Sequence, residues 1–280
     1  MDDTLYTRTS FDTSRTVTRN YSTSFYSAAG LLAPGVRTAI YGIYGFVRLA
    51  DEIVDTFEGY RQAALLDRLE ADYETARHEG ISLNPVVNSF VTVVRHYDID
   101  DSLVRAFITS MRTDLWKKQY RNADEIRQYI YGSADVVGLM CLKVFTGGDA
   151  ALYERLKEPA AKLGSAFQKV NFLRDLKSDT ETLRRSYFPS FTENGLDETG
   201  KAAVIREIEN EFAEAYEGIR QLPPNCRLGV YVAYTYYLQL LKKIKQTPAC
   251  ALMLKRIRLS GWNKLLLLTR SFVLEKVDSI

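Results

Sequence analysis

The chain has 280 residues, 46% of them hydrophobic and 26% charged, with a net charge of +2. That balance is ordinary for a globular protein and gives no global reason to expect a nucleic-acid partner. Three widely spaced cysteines, Cys141, Cys226 and Cys250, fit neither a disulfide framework nor a zinc site, and the N-terminus lacks a secretory pattern. The longest uncharged apolar run, Leu228 to Leu241, is short of the roughly 20 residues a membrane span needs. A reducing cytoplasm is the expected location.

Strand signals are nearly absent, and apolar periodicity is helical from end to end. Helices are expected over 14–30, 36–56, 60–78, 85–96, 101–119, 124–146, 150–181, 197–220, 225–245 and 250–276, with breaks at prolines and glycines. No internal repeat or linker divides them, so the expectation is a single all-α domain over 14–280, preceded by a polar, loose arm over 1–13. Residues 60–100 read as amphipathic outer helices, with His78 and His96 on the surface.

The first chemistry-bearing stretch is Tyr21-Ser22-Thr23-Ser24-Phe25. Its hydroxyls suit either a helix cap or donation to a phosphate. Next comes YGIYGFVRLADEIVD, Tyr41 to Asp55. Steps of three and four keep residues on one helix face, and Tyr41, Tyr44, Arg48, Asp51 and Asp55 follow such steps. The other faces carry Ile40, Ile43, Phe46, Val47, Leu49, Ile53 and Val54. A helix apolar on most sides is buried, so its acids point inward. Buried carboxylates are costly unless a cation meets them, and Mg²⁺ takes carboxylate oxygens while sharing its shell with phosphates.

Asp114 offers two readings, an acid near the cavity or a surface partner of Lys117 or Lys118. In Tyr131 to Met140, Gly132, Ala134 and Gly138 interrupt a helical stretch where a neighbour or a ligand approaches closely. Asp135 there either faces outward or joins the polar end of a site, and Tyr131 is a candidate cavity phenol. A second acidic stripe follows: Gln168, Asn171, Asp175 and Asp179, with Arg174 beside it. Two facing acid stripes make a cage for divalent ions, and arginines among them bind phosphate oxygens. One D-x-x-x-D alone is an ordinary solvated helix face; two on apolar helices, each with an arginine, are not. The phenol-rich run Tyr231 to Tyr237 reads as core or as cavity lining. Toward the C-terminus, Lys255, Arg256, Arg258 and Lys264 with Leu265 to Leu268, Phe272 and Val273 make a basic amphipathic helix that suits either bundle closure or an anionic membrane.

Four segments together, YSTSFYSAAGLL at 21–32, YGFVRLADEIVD at 44–55, YGSADVVGLM at 131–140 and QKVNFLRDLKSDTETLRRSYFP at 168–189, resemble the squalene/phytoene synthase family of head-to-head prenyl transferases. They span most of the chain in the family's order. The resemblance implies an isoprenoid-synthase helical bundle with a central cavity. It implies metal ligands at Asp51, Asp55, Asn171, Asp175 and Asp179, with Tyr44 and Arg48 also in the catalytic set. It implies substrate contacts at Tyr21, Ser22, Ser24, Phe25, Tyr44, Arg48, Tyr131, Gln168, Asn171, Arg174, Arg185 and Tyr237. The implied reaction is condensation of two geranylgeranyl diphosphates to phytoene for carotenoid synthesis, with Mg²⁺ (replaceable by Mn²⁺) and without NADPH. Within the family the alternative is condensation of two farnesyl diphosphates to squalene or dehydrosqualene. Outside that chemistry stand a one-substrate terpene cyclase and a catalytically inactive scaffold, the latter opposed by the full set of acids. Peripheral association with the inner face of a membrane is a further expectation, and the sequence does not fix an oligomeric state.

Overall fold

The structure is a computed structural model that describes residues 4–181, 185–188 and 197–259. Twelve helices run through the described residues: α1 (Leu5–Tyr21), α2 (Thr23–Ala29), α3 (Pro34–Asp55), α4 (Gln62–Glu79), α5 (Pro85–His96), α6 (Asp101–Asp114), α7 (Ala123–Ile130), α8 (Val136–Thr146), α9 (Ala150–Glu181), α10 (Glu198–Ile219), α11 (Pro224–Gln246) and the short α12 (Ala249–Leu252). A π-helical turn, Tyr131–Asp135, joins α7 to α8. The nearest thing to a sheet among the described residues is one isolated bridge between Gln119 and Ser186.

Local chemistry explains the starts and stops. Asn84 and Asp100 cap α5 and α6 by accepting backbone N–H groups, and proline opens α3, α5 and α11. Gly80, at a φ of +87°, ends α4 in a left-handed turn. Ser22 leaves helical geometry and accepts from the Phe25 N–H, which divides the expected helix 14–30 into α1 and α2.

The N-terminal arm is not loose. Residues 5–13 belong to α1, capped by Thr4, and α1 packs on α3 and α5 with Thr7, Ser10, Phe11, Ser14 and Thr18 buried. The expected C-terminal helix 250–276 is confined, among the described residues, to Ala249–Leu252; residues 253–259 run without helix, and the remainder of that expectation lies outside the described residues.

The core has two main parts. One gathers α1, α3, α4, α5, α6 and α8 around Phe46, whose ring stacks on Phe90 at 4.1 Å. The other gathers α9, α10 and α11 with α7 around Phe172, Leu173, Ile208, Phe212 and Leu240. Between them lies a cavity of about 290 Å³, lined from both parts.

Candidate active site

The cavity has an apolar body and one polar end. On α9 its lining runs from Leu156 to Asn171, fifteen residues or about 22 Å of helix. Leu32, Leu142, Phe145, Ile219 and Leu222 surround the deep end. Phe25, Tyr44, Gln168, Asn171 and Tyr237 stand at the other, one turn before the acids of α3 and α9. Tyr237 donates to Asn171 Oδ1 at 3.2 Å and stacks on Phe167 at 3.9 Å. Phe25 stacks on Tyr44 at 4.8 Å, and burial pushes the Tyr44 phenol up to about 12. The expected stripes therefore do converge: Gln168, Asn171 and Tyr237 share one wall with Tyr44 and Phe25.

Among the described residues, the arginines at this end lie on carboxylates. Arg48 pairs with Asp51 and with Glu52, and its guanidinium lies 4.4 Å from the centre of the half-exposed Tyr21 ring. Arg174 donates to Asp175, with Nη2 2.5 Å from Oδ2. Arg256 reaches the same carboxylate, with Nε 2.6 Å from Oδ1. Arg185 donates to Asp55 at 2.7 Å and to the Asp114 carbonyl at 3.1 Å. Burial, reinforced by neighbouring carboxylates, pushes Asp51 up to about 7 and Asp179 up to about 8. Asp51 and Asp55 on α3, with Asp175 and Asp179 on α9, place four carboxylates at one-turn spacing on two helices, a donor set that suits a hard divalent ion. Among the described residues no three acidic, histidine or cysteine side chains already converge as ion ligands do. Residues that fit such an ion are Asp51, Asp55, Asn171, Asp175 and Asp179.

Several expectations need correction. Tyr131 is 47% exposed and does not line the cavity; the buried phenol of this segment is Tyr129, which donates to Asp114 at 2.9 Å. Ile126, Tyr129 and Ile130 share the inner face of α7, a spacing of three and four that was readable in the sequence. Asp114 is buried, not a surface partner of Lys117, which pairs instead with Glu125. Arg185 is 3% exposed and holds Asp55, Asp114 and the Val54 carbonyl, so this arrangement does not present it to a diphosphate. Ser22 acts as a helix cap, and Ser24 sits half-buried beside it. Gly132 and Gly138 admit close neighbours, since an added Cβ would lie 2.8 Å from Ser110 Cβ and 2.8 Å from the Ala160 carbonyl, and Gly138 with Ala134 also lines the cavity. Asp135 faces the ionic cluster of α9 and α10, away from the acid stripes.

The sequence profile of the squalene/phytoene synthase family matches residues 18–263. This chain belongs to that family. It is 30% identical to a phytoene synthase of Arthrospira platensis, over 92% of this chain and 91% of that one. It is also 30% identical to a 15-cis-phytoene synthase of a Synechocystis species, over 84% of this chain and 76% of that one. Of solved structures, a dehydrosqualene synthase in complex with ligand superposes with a TM-score of 0.82 at 22% identity, covering 97% of this chain and 98% of that one. A squalene synthase from Alicyclobacillus acidocaldarius does so with 0.75 at 21%, covering 87% and 95%. At those identities the likeness is one of fold. The protein is a prenyltransferase with the all-α fold of isoprenoid synthases. Two charged contributors to this squalene/phytoene synthase site carry no signal in the sequence: Glu52 lies off the acidic stripe yet shares Arg48, and Arg256 sits in a basic run that reads as a helix. Asp114 takes the first of its two readings, a buried acid beside Arg185.

Proposed function

We propose that this prenyltransferase condenses two geranylgeranyl diphosphates head to head, giving phytoene for carotenoid synthesis. The carrying observation is the depth of the apolar cavity behind the two acid stripes. An extended chain advances roughly 1.2 Å per bond, as the polypeptide backbone does, so sixteen main-chain carbons reach about 18 Å and the twelve of a farnesyl group about 13 Å. The cavity wall on α9 is about 22 Å long. The phytoene synthases among the relatives support the same choice.

Asp51, Asp55, Asn171, Asp175 and Asp179 are the residues that would hold Mg²⁺. A divalent ion bound there neutralises the leaving diphosphate and so assists ionisation of the allylic bond. Arg48 and Arg174, paired with Asp51 and Asp175 in this arrangement, would turn to phosphate oxygens at the same end. Tyr44, Phe25, Phe167 and Tyr237 offer aromatic faces to the carbocation. The apolar walls keep out water that would quench it. The second substrate's double bond attacks to form a cyclopropylcarbinyl diphosphate, with one diphosphate and one proton released. That intermediate loses its own diphosphate, rearranges to the 1–1′ skeleton and loses a proton to give phytoene. No reductant enters this balance.

The test is a product assay of the purified chain with Mg²⁺ and no NADPH, with farnesyl or geranylgeranyl diphosphate in separate tubes. A C40 hydrocarbon from the second tube is expected. A C30 product from the first tube alone would move the enzyme to the dehydrosqualene branch. A presqualene intermediate that waits for NADPH would make it a squalene synthase.

A further inference from the structure

Asp175 holds two guanidinium groups at once. Arg174, its neighbour on α9, donates from Nε at 3.1 Å to each carboxylate oxygen and from Nη2 at 2.5 Å to Oδ2. Arg256 closes on the other side, with Nε 2.6 Å from Oδ1 and Nη2 3.2 Å from Oδ2. Both oxygens therefore carry cationic donors from two directions, in bidentate geometry. A metal ion cannot share this carboxylate until one of the arginines leaves.

The two arginines differ in how firmly they are held. The Arg174 side chain is 19% exposed and rides on a long helix. The Arg256 side chain is 49% exposed and belongs to the non-helical run 253–259. Besides Arg256 itself, the Ile257 N–H of that run donates one long hydrogen bond to α9, to the Arg174 carbonyl at 3.4 Å. Its other described ties lie on either side of Arg256: before it the Leu254 N–H donates to the Ala251 carbonyl at 3.2 Å, and after it Ile257 and Leu259 are buried and Lys243 donates to the Arg258 carbonyl at 2.6 Å. The run can thus keep its place while the Arg256 side chain swings. An ion pair whose guanidinium stands half in solvent is weakly held, so a competing charge of modest strength displaces it.

We infer that Arg256 is a gate on the second acidic stripe: it occupies Asp175 in place of a divalent ion in the free protein, and withdraws when a diphosphate arrives. This rests on the reading of the stripes as a divalent-ion site. The gate keeps α9's acid neutralised and correctly aimed without an ion. It also couples ion binding at Asp175 to the presence of substrate, because a diphosphate brings the charge that draws the guanidinium away. Coupling of this kind is reciprocal: whatever removes Arg256 from Asp175 strengthens ion binding there.

The experiment measures Mn²⁺ affinity of the full-length protein by titration calorimetry and by electron paramagnetic resonance, with no diphosphate present. Wild type, R256Q, R256K, K255Q, D175N and the D175N/R256Q double variant are compared, each checked by circular dichroism. R256Q is expected to bind Mn²⁺ at least tenfold more tightly than wild type, with R256K in between, because lysine keeps the charge but not the fork. K255Q removes an equal charge from the next residue and should change affinity less than twofold. In the D175N background the gain from R256Q should vanish. An unchanged or weaker affinity in R256Q overturns the gate, and so does an equal gain in K255Q or a gain that persists with D175N. If D175N weakens Mn²⁺ binding while R256Q is neutral, the gate alone fails. If D175N does not alter Mn²⁺ binding at all, the divalent-ion reading fails with it.

Discussion

Arg185 donates through Nη1 to Asp55 Oδ1 at 2.7 Å, across 130 residues of sequence, with its guanidinium almost wholly buried. Its backbone N–H also donates to the Asp179 carbonyl at 2.7 Å. One residue thus ties the end of the first acidic stripe to the end of the second. Tyr187, two residues on, stacks on Phe172 of α9 at 3.9 Å and lies 5.5 Å from Tyr129, which in turn holds Asp114. The separation of the two stripes is set by this strut.

Replacing Arg185 with Gln should therefore destabilise the fold and not only slow the reaction. It leaves Asp55 and Asp114 without their cation, and breaking a buried charge pair costs about 3–5 kcal/mol. Asp114 reduces that figure, because burial outweighs Arg185 and already pushes its carboxyl up to about 7. The expected loss is about 2–3 kcal/mol in urea denaturation. Unchanged stability with lost turnover would mean that Arg185 acts on substrate and not as a strut.

Asp51→Asn and Asp175→Asn should each lower turnover a hundredfold or more while the circular dichroism spectrum stays that of the wild type. Both carboxylates lie at the cavity mouth, 35% and 18% exposed, so neither supports the core. Diphosphate release is the measurement, and near-normal release from either variant would remove the metal-cage reading.

Most helices and both stripes were legible in the sequence, because apolar periodicity and acid spacing both follow the helical repeat. The N-terminal segment was not. In α1 the buried face is built from Thr7, Ser10, Ser14 and Thr18, and hydroxyls read as solvent-facing. Here they turn inward: Ser10 accepts from Asn88 at 3.0 Å, and Ser14 meets Ser89 at 2.7 Å. Their small size lets α1 approach α3 so closely that a Cβ on Gly45 would lie 2.5 Å from Ser14 Oγ. The Arg185 strut was illegible for a different reason: it depends on a fold-back that places residue 185 against residues 55 and 114, and no local pattern encodes that distance.

Phe11→Ala is the corresponding measurement on α1. Phe11 is 8% exposed within the core around α3 and α5. Truncating a buried phenylalanine costs about 3–5 kcal/mol, and the thermal midpoint should fall by several degrees. A midpoint within a degree of wild type would return residues 5–13 to the status of a dispensable arm.

Asp135 gives a pH-dependent prediction independent of the active site. It faces Glu211, Lys169 and Lys162, and burial, then the Glu211 charge, pushes its carboxyl up to about 7. A carboxyl that rises on folding binds its proton more tightly in the native state. Stability therefore declines as pH climbs from about 4 to about 7, and the penalty is complete above that window. Asp135→Asn removes the penalty. The variant should melt near the wild-type temperature at pH 4.5 and several degrees above it at pH 8, a gain of the order of 1–3 kcal/mol. An equal shift at both pH values would assign the effect to packing and not to the charge.

Ala215 lines the cavity at the depth where the proposed C20 chain would pass the reach of a C15 chain. Along the antiparallel pair α9 and α10, Ser165 donates to Glu211, Lys162 pairs with Glu214, and Gly218 lies against Pro159. Ala215 is thus level with residue 162, nine residues or about 14 Å below Asn171. That depth matches the roughly 13 Å reach of an extended farnesyl chain and lies short of the roughly 18 Å of a geranylgeranyl chain. Ala215 is 1% exposed to solvent and lines the cavity, so Ala215→Leu projects its added carbons into the space that only the longer chain uses. Overpacking costs about 1–3 kcal/mol and lowers both activities together, so the decisive readout is their ratio. The ratio of kcat/KM for geranylgeranyl over farnesyl diphosphate should fall tenfold or more, about 1.4 kcal/mol of discrimination. A ratio equal to that of the wild type would place the end of the prenyl chain against another wall.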